Sequence, residues 1–185
     1  MLTKEEGKEL VRTARKNIEY YLDTGKKIEL GDIKEKYKEK RGVFVTLKKK
    51  GELRGCIGYP RPIMPLMNAL LDTSVSAATR DPRFPAVSRG EMKKITVEVT
   101  VLTPPKLIQC NPQEYPERIE IGKDGLIVEK NGRSGLLLPQ VPTEWDWDEE
   151  EFLSHTCRKA GLPIDTWLEK DTIVYRFQGQ IFTEE

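Results

Sequence analysis

The stretch best equipped for chemistry is Leu53-Arg54-Gly55-Cys56-Ile57-Gly58. In an extended strand alternate side chains share a face, so Leu53, Gly55 and Ile57 are expected on one side and Arg54, Cys56 and Gly58 on the other. Arg54 and Cys56 would then be neighbours. A guanidinium beside a thiol favours the thiolate by Coulomb attraction and raises its reactive fraction at neutral pH. Flanking glycines let a ligand approach the backbone, whose N–H groups can hold an oxyanion. This reading makes Cys56 a nucleophile assisted by Arg54. The competing reading is packing: free cysteines are among the most buried residues, and glycines beside one mark a tight space.

A cysteine nucleophile is usually served by a base. His155 is the only histidine. On the helix expected there, the apolar face runs through Phe152, Leu153, Thr156, Cys157 and Ala160. At about 100° per residue His155 falls off that face, toward solvent. A Cys56–His155 dyad is not expected. Glu91 and Glu98 are carboxylates able to act as acid or base, although nothing in the sequence places them near the thiol. The loop Arg80-Asp81-Pro82-Arg83-Phe84-Pro85 is shaped by two prolines and carries opposite charges and an aromatic ring. It suits either a binding wall or a helix-ending turn whose Phe84 plugs the core. The expected catalytic pair is Cys56 and Arg54, and the expected substrate-binding set is Gly55, Gly58, Asp81, Arg83, Phe84 and Glu98.

Other chemistries have less support. Cys56, Cys110 and Cys157 are odd in number and far apart, which suits neither a disulfide framework nor a zinc ribbon. No Cys/His cluster has ligand spacing and no Gly-rich phosphate loop is present, so no metal or other cofactor is expected. The 31 basic and 30 acidic residues nearly cancel, which disfavours nucleic acid as a partner. The Thr73, Ser74, Ser76 and Thr79 hydroxyls read as the polar side of a helix. Trp145 and Trp147 lie among acids that suit a helix N-terminus.

The elements that must position these residues follow from pattern. Thr3 and Glu6 form a capping box ahead of an amphipathic helix through Leu10, Val11, Ala14, Ile18, Tyr21 and Leu22, which Gly25 stops. A short helical turn is expected near Ile33–Tyr37. Val43–Leu47 and Leu53–Tyr59 form a hairpin about Lys50-Gly51; Leu66–Thr79 is a helix; Ile95–Leu102 alternates as a half-exposed strand. The order then repeats about 80 residues later. Gly125–Glu129 and Gly135–Leu138 flank the strong turn dipeptide Asn131-Gly132, followed by a helix over about Glu149–Ala160 and a strand over Ile173–Phe182. Hairpin, prolines, helix and strand, twice over, indicate an internal duplication.

The expected class is α+β: duplicated hairpin–helix–strand repeats sharing one curved, largely antiparallel, barrel-like sheet with helices outside. The chain reads as one domain, 1–185, divisible at about 105/106. Abundant Lys and Glu with few Gln, Asn and His resembles the composition of thermophile proteins. No apolar run approaches the length of about 20 residues that spans a bilayer, and the polar, acidic start is unlike a signal peptide. A cytoplasmic location is the expectation.

The hexapeptide Leu53–Gly58 resembles the signature of the AMMECR domain family. Ala77 with Asp81-Pro82-Arg83-Phe84-Pro85, Val99–Thr103, Ile121–Leu126, Leu137–Val141, Trp147 with Phe152-Leu153, and Lys159–Leu162 extend the resemblance over nearly the whole chain. It implies a duplicated α+β fold, and a cleft lined by Arg54, Gly55, Cys56 and Gly58. It also implies association with a Memo-type protein and a radical SAM enzyme. The family carries no established activity, so an enzyme component using Cys56 and a non-catalytic binding module both stand.

Overall fold

The computed structural model describes residues 1–184. In chain order the elements are α1 (Lys4–Thr24), α2 (Glu35–Lys38), β1 (Val43–Lys49), β2 (Glu52–Tyr59), α3 (Leu66–Thr79), β3 (Ile95–Leu102), β4 (Lys106–Leu107), β5 (Asp124–Lys130), β6 (Arg133–Leu137), α4 (Gln140–Trp145), α5 (Glu149–Lys159) and β7 (Ile173–Thr183). The β1–β2, β1–β3, β4–β7, β5–β6 and β5–β7 ladders are antiparallel, and the class is α+β. The chain forms two compact units: Met1–Leu102 with the chain from Gln180 onward, and Thr103–Gly179.

In the first unit α1 begins at its capping box. The Thr3 hydroxyl accepts from the Glu6 N–H, and Glu6 accepts from the Thr3 N–H at 3.0 Å. Gly25, at φ 72°, closes the helix in a conformation that costs a side-chain-bearing residue about 1–2 kcal/mol. Leu10, Val11, Ala14 and Ile18 are buried with Val43, Val45 and Leu47 of β1 and Val97, Val99 and Val101 of β3. Each such Val or Leu contributes about 1.5–3 kcal/mol. Strand β2 forms one edge of the sheet, followed by β1, β3 and β7.

Helix α3 departs from the sequence expectation. Thr73, Ser74 and Ser76 are buried together with the apolar residues around them, rather than forming a solvated side. They are accommodated because hydroxyls can bond the helix's own carbonyls. Thr73 donates to the Ala69 carbonyl (2.7 Å) and Ser74 to that of Leu71 (3.1 Å). Asn17 of α1, itself fully buried, donates to Ser74 Oγ and to the Leu71 carbonyl and accepts from the Ile28 N–H, each at 2.9 Å.

The second unit repeats the scheme: the β5–β6 hairpin, helix α5 and strand β7. Its core gathers Leu126, Val128, Phe152, Leu153, Cys157 and Val174. Both hairpins turn on two left-handed residues, Lys50-Gly51 (φ 54° and 83°) and Asn131-Gly132 (φ 51° and 74°). They differ in register. The β5–β6 ladder is regular, whereas β1–β2 shifts between Leu47, opposite Gly55, and Lys48, opposite Leu53. Arg54 is thus the extra residue of a β-bulge.

His155 is corrected by the structure. It is half-buried, its ring lying flat on Trp147 with centroids 3.7 Å apart and planes 2° apart, rather than turned out to solvent. Trp145 stacks on the other partner of this pair, 6.2 Å from Trp147. The acidic run serves as expected at the start of α5, where Asp148 accepts from the Glu151 N–H at 2.8 Å.

Candidate functional site

Strand β2 carries the hexapeptide along an edge of the sheet, and the bulge decides where its side chains go. Cys56 and Gly58 lie opposite Thr46 and Phe44; Gly55 and Ile57 lie opposite the buried Leu47 and Val45. Gly55 faces helix α3. A Cβ at that position would run into the Ala77 carbonyl oxygen and carbon, so only glycine lets strand and helix backbones come this close. At Gly58 the missing side chain makes room for the Phe44 ring.

The bulge also parts the pair that simple alternation puts together. Arg54 grips Glu91 with two hydrogen bonds, Nε to Oε1 at 2.9 Å and Nη2 to Oε2 at 3.1 Å. Lys49 donates to the same carboxylate at 2.7 Å. Arg54 first, and Lys49 second, draw the Glu91 carboxyl down to about 2. Cys56 is half-buried, and its sulfur lies 3.2 Å from the Thr46 hydroxyl. Thr46 was not among the residues singled out from sequence. It stands opposite both Cys56 and Glu98 in the ladders, so thiol, hydroxyl and carboxylate form a row across three strands. At about 4.8 Å between strands, the Glu98 backbone is two steps from Cys56. Its carboxylate accepts from Lys48 (2.9 Å) and Thr183 (3.2 Å).

The loop after α3 closes the open edge of β2. Asp81, 4% exposed, accepts from the Cys56 N–H at 2.9 Å and from the Arg83 N–H at 3.0 Å. Arg83 binds the same carboxylate through Nε (3.0 Å) and Nη2 (2.8 Å), and Nη2 also reaches the Cys56 carbonyl at 3.3 Å. An acid and a base side chain thus take the hydrogen-bonding places that a neighbouring strand would fill. The Arg83 guanidinium, more than the Cys56 N–H, holds the Asp81 carboxyl far below the ordinary carboxylate range. Phe84 is half-buried, with the Arg83 and Arg54 guanidinia 5.6 and 5.9 Å from its ring centre, a cation–π distance. Of the expected set, Gly55, Cys56, Asp81, Arg83 and Phe84 are brought together with Arg54 at their border. Glu98 stands on the Cys56 face, two strands away.

These depressed carboxyl values fix a pH dependence. A group with a lowered folded pKa contributes stability above its unfolded value of about 4, and that contribution fades as pH falls through the folded value. Stability is expected to be level from neutral pH to about 5 and to fall progressively below that, because the unfolded chain takes up protons that Glu91 and Asp81 still hold off in the folded protein. Urea midpoints across this range measure it. A midpoint unchanged down to pH 2 would remove both ion pairs from the account.

Beside Arg54 lies an open groove of about 520 Å³ whose walls include Lys49, Arg54, Pro85, Ser88, Glu91 and Lys94. Among the described residues no three His, Cys, Asp or Glu side chains are grouped to hold a metal ion, and no helix is long and apolar enough to cross a membrane.

The duplicated antiparallel units and the glycine-seated signature strand define an AMMECR-type protein. The AMMECR1 family model matches residues 11–182, and the chain belongs to that family. The Methanopyrus kandleri protein MK0488 is 58% identical, over all of this chain and 91% of its own. The Methanocaldococcus jannaschii protein MJ0810 is 57% identical, over all of this chain and 92% of its own. The crystal structure of the uncharacterized protein PH0010 from Pyrococcus horikoshii superposes with a TM-score of 0.84 at 55% identity, covering all of this chain and 94% of that one.

Proposed function

We propose that this chain is a binding component whose recognition surface is the Leu53–Gly58 strand locked to the Arg80–Pro85 loop. The observation that carries this reading is the Asp81–Arg83 pair bonded to both backbone groups of Cys56. It fixes strand, loop and the Phe84 ring as one preorganised wall, which lowers the ordering cost of binding. The thiol's surroundings support the same reading. Among the described residues, the side chain bonded to it is the Thr46 hydroxyl, a weak base, and Arg54 is committed to Glu91. The partners we assign, on the family resemblance, are a Memo-type protein and a radical SAM enzyme. Capture of the Memo-type protein from the same host is the test. Cys56→Ser is expected to retain capture and Phe84→Ala to weaken it. Capture undiminished in a folded Phe84→Ala protein would overturn the reading.

A second reading, covalent chemistry at Cys56, is favoured by one observation: the thiol is half-exposed rather than a core residue. Alkylation separates the three cysteines. Cys157 is fully buried, and burial pushes its thiol up to about 11. Cys56 and Cys110 are half-buried. Native protein is expected to label at Cys56 and Cys110 and to spare Cys157 until it unfolds. A Cys56 as slow as Cys157 would end the covalent reading.

A further inference from the structure

We propose that the groove beside Arg54 binds a phosphate-type dianion, such as the phosphate or pyrophosphate group of a small molecule. This rests on the recognition-surface reading and names the ligand class for its cationic border. Three cations, Lys49, Arg54 and Lys94, face one carboxylate, Glu91, which leaves a net charge of two positive units for an incoming anion. The lining side chains keep donors that Glu91 does not use. Arg54 uses Nε and Nη2 on Glu91, so Nη1 remains available. Lys49 spends one of its three N–H groups. Ser88 Oγ accepts from the Glu91 N–H at 3.3 Å, leaving its O–H to donate. Lys94 is exposed and, among the described residues, paired with no carboxylate.

Glu91 has a positioning part in this arrangement. Its carboxylate clamps Arg54 and Lys49 together, so two cations that would repel one another are held on one wall before an anion arrives. Pro85 and Ala86 form the apolar side, suited to the body of a small molecule that carries the charged group. The groove's volume lies within the roughly 300–1,000 Å³ usual for small-molecule sites. The unspent edge of the Arg54 guanidinium, the Lys49 ammonium held beside it and the mobile Lys94 ammonium supply the charge-assisted donors that phosphate recognition employs.

The test is calorimetric titration of the full chain with pyrophosphate near neutral pH at about 0.15 M salt, where charges more than about 8 Å away are screened. Saturable binding at one site is expected. Lys94→Glu reverses a charge on a surface side chain without disturbing the fold, and it is expected to weaken binding by about tenfold or more. Lys93→Glu, the adjacent exposed residue outside the groove, is the control and should leave affinity within about twofold. No saturable heat with the unaltered protein overturns the proposal. Equal weakening by the two variants also does, because it would reduce the effect to diffuse surface charge. The two proposals fail separately: capture of the Memo-type protein by the Phe84→Ala variant reports on the recognition wall, and pyrophosphate binding reports on the groove.

Discussion

Gly55→Ala should destabilise the first unit by about 3–4 kcal/mol, a drop of about 10 °C in melting temperature. The added methyl would meet the Ala77 backbone, and a backbone carbonyl at the end of a buried helix cannot swing aside as a flexible side chain does. Strand β2 or helix α3 must therefore move, and with it the contacts of Leu47, Leu70 and Ala77. Gly90→Ala is the matched control. Gly90 has open space where its Cβ would stand and an ordinary φ of −67°, so its replacement should be neutral within about 0.5 kcal/mol. Calorimetry is the suitable readout, because all three tryptophans, 145, 147 and 167, lie in the second unit. Equal melting temperatures for the two variants would show that β2 and α3 are not held at the close approach described.

Asp81→Ala is expected to cost about 2–3 kcal/mol and to change the protein's behaviour in solution. It strips the Cys56 N–H of its acceptor and leaves Arg83 without the carboxylate that aims it. Local opening of β2 then becomes easier, and the Cys56 amide should exchange with deuterium about 30- to 100-fold faster. An uncovered edge also invites strand-to-strand pairing between molecules. Concentration-dependent self-association should accompany the faster exchange. Unaltered Cys56 exchange would show that the loop does not seal the strand.

The parts of this architecture governed by short-range rules were readable in the chain. The Thr3–Glu6 capping box, Gly25, the α3 span Leu66–Thr79 and the Asn131-Gly132 turn each follow from a residue type meeting a local backbone demand. The arrangement of the site was less readable because it hangs on one inserted residue. Counting back from the Lys50-Gly51 turn without interruption pairs Thr46 with Gly55. The bulge moves Thr46 to Cys56 and sends Arg54 to Glu91. A slip of one residue exchanges the faces of everything beyond it, and no local propensity announces it. The burial of Thr73 and Ser74 was hidden for a related reason. Hydroxyls signal solvent by composition, but a helix lets them satisfy themselves on its own carbonyls, here those of Ala69 and Leu71. Asp81 and Arg83 were legible as candidates; their bonds to the strand edge, being long-range, were not.

The second hairpin supplies an internal control written into the same chain. There Gly135 holds the place of Gly55: a Cβ on it would strike the α5 backbone at Thr156, Lys159 and Ala160, as one on Gly55 would strike α3. Leu136 stands where Cys56 stands, and the regular ladder between Glu129–Ser134 and Val128–Gly135 has no counterpart of Arg54. The hairpin-on-helix design is thus built once with a thiol and an inserted guanidinium, and once with neither. Within the signature strand the glycine is the cost of the architecture. The thiol and the guanidinium are not required by it, since the second hairpin makes the same close approach to its helix with neither.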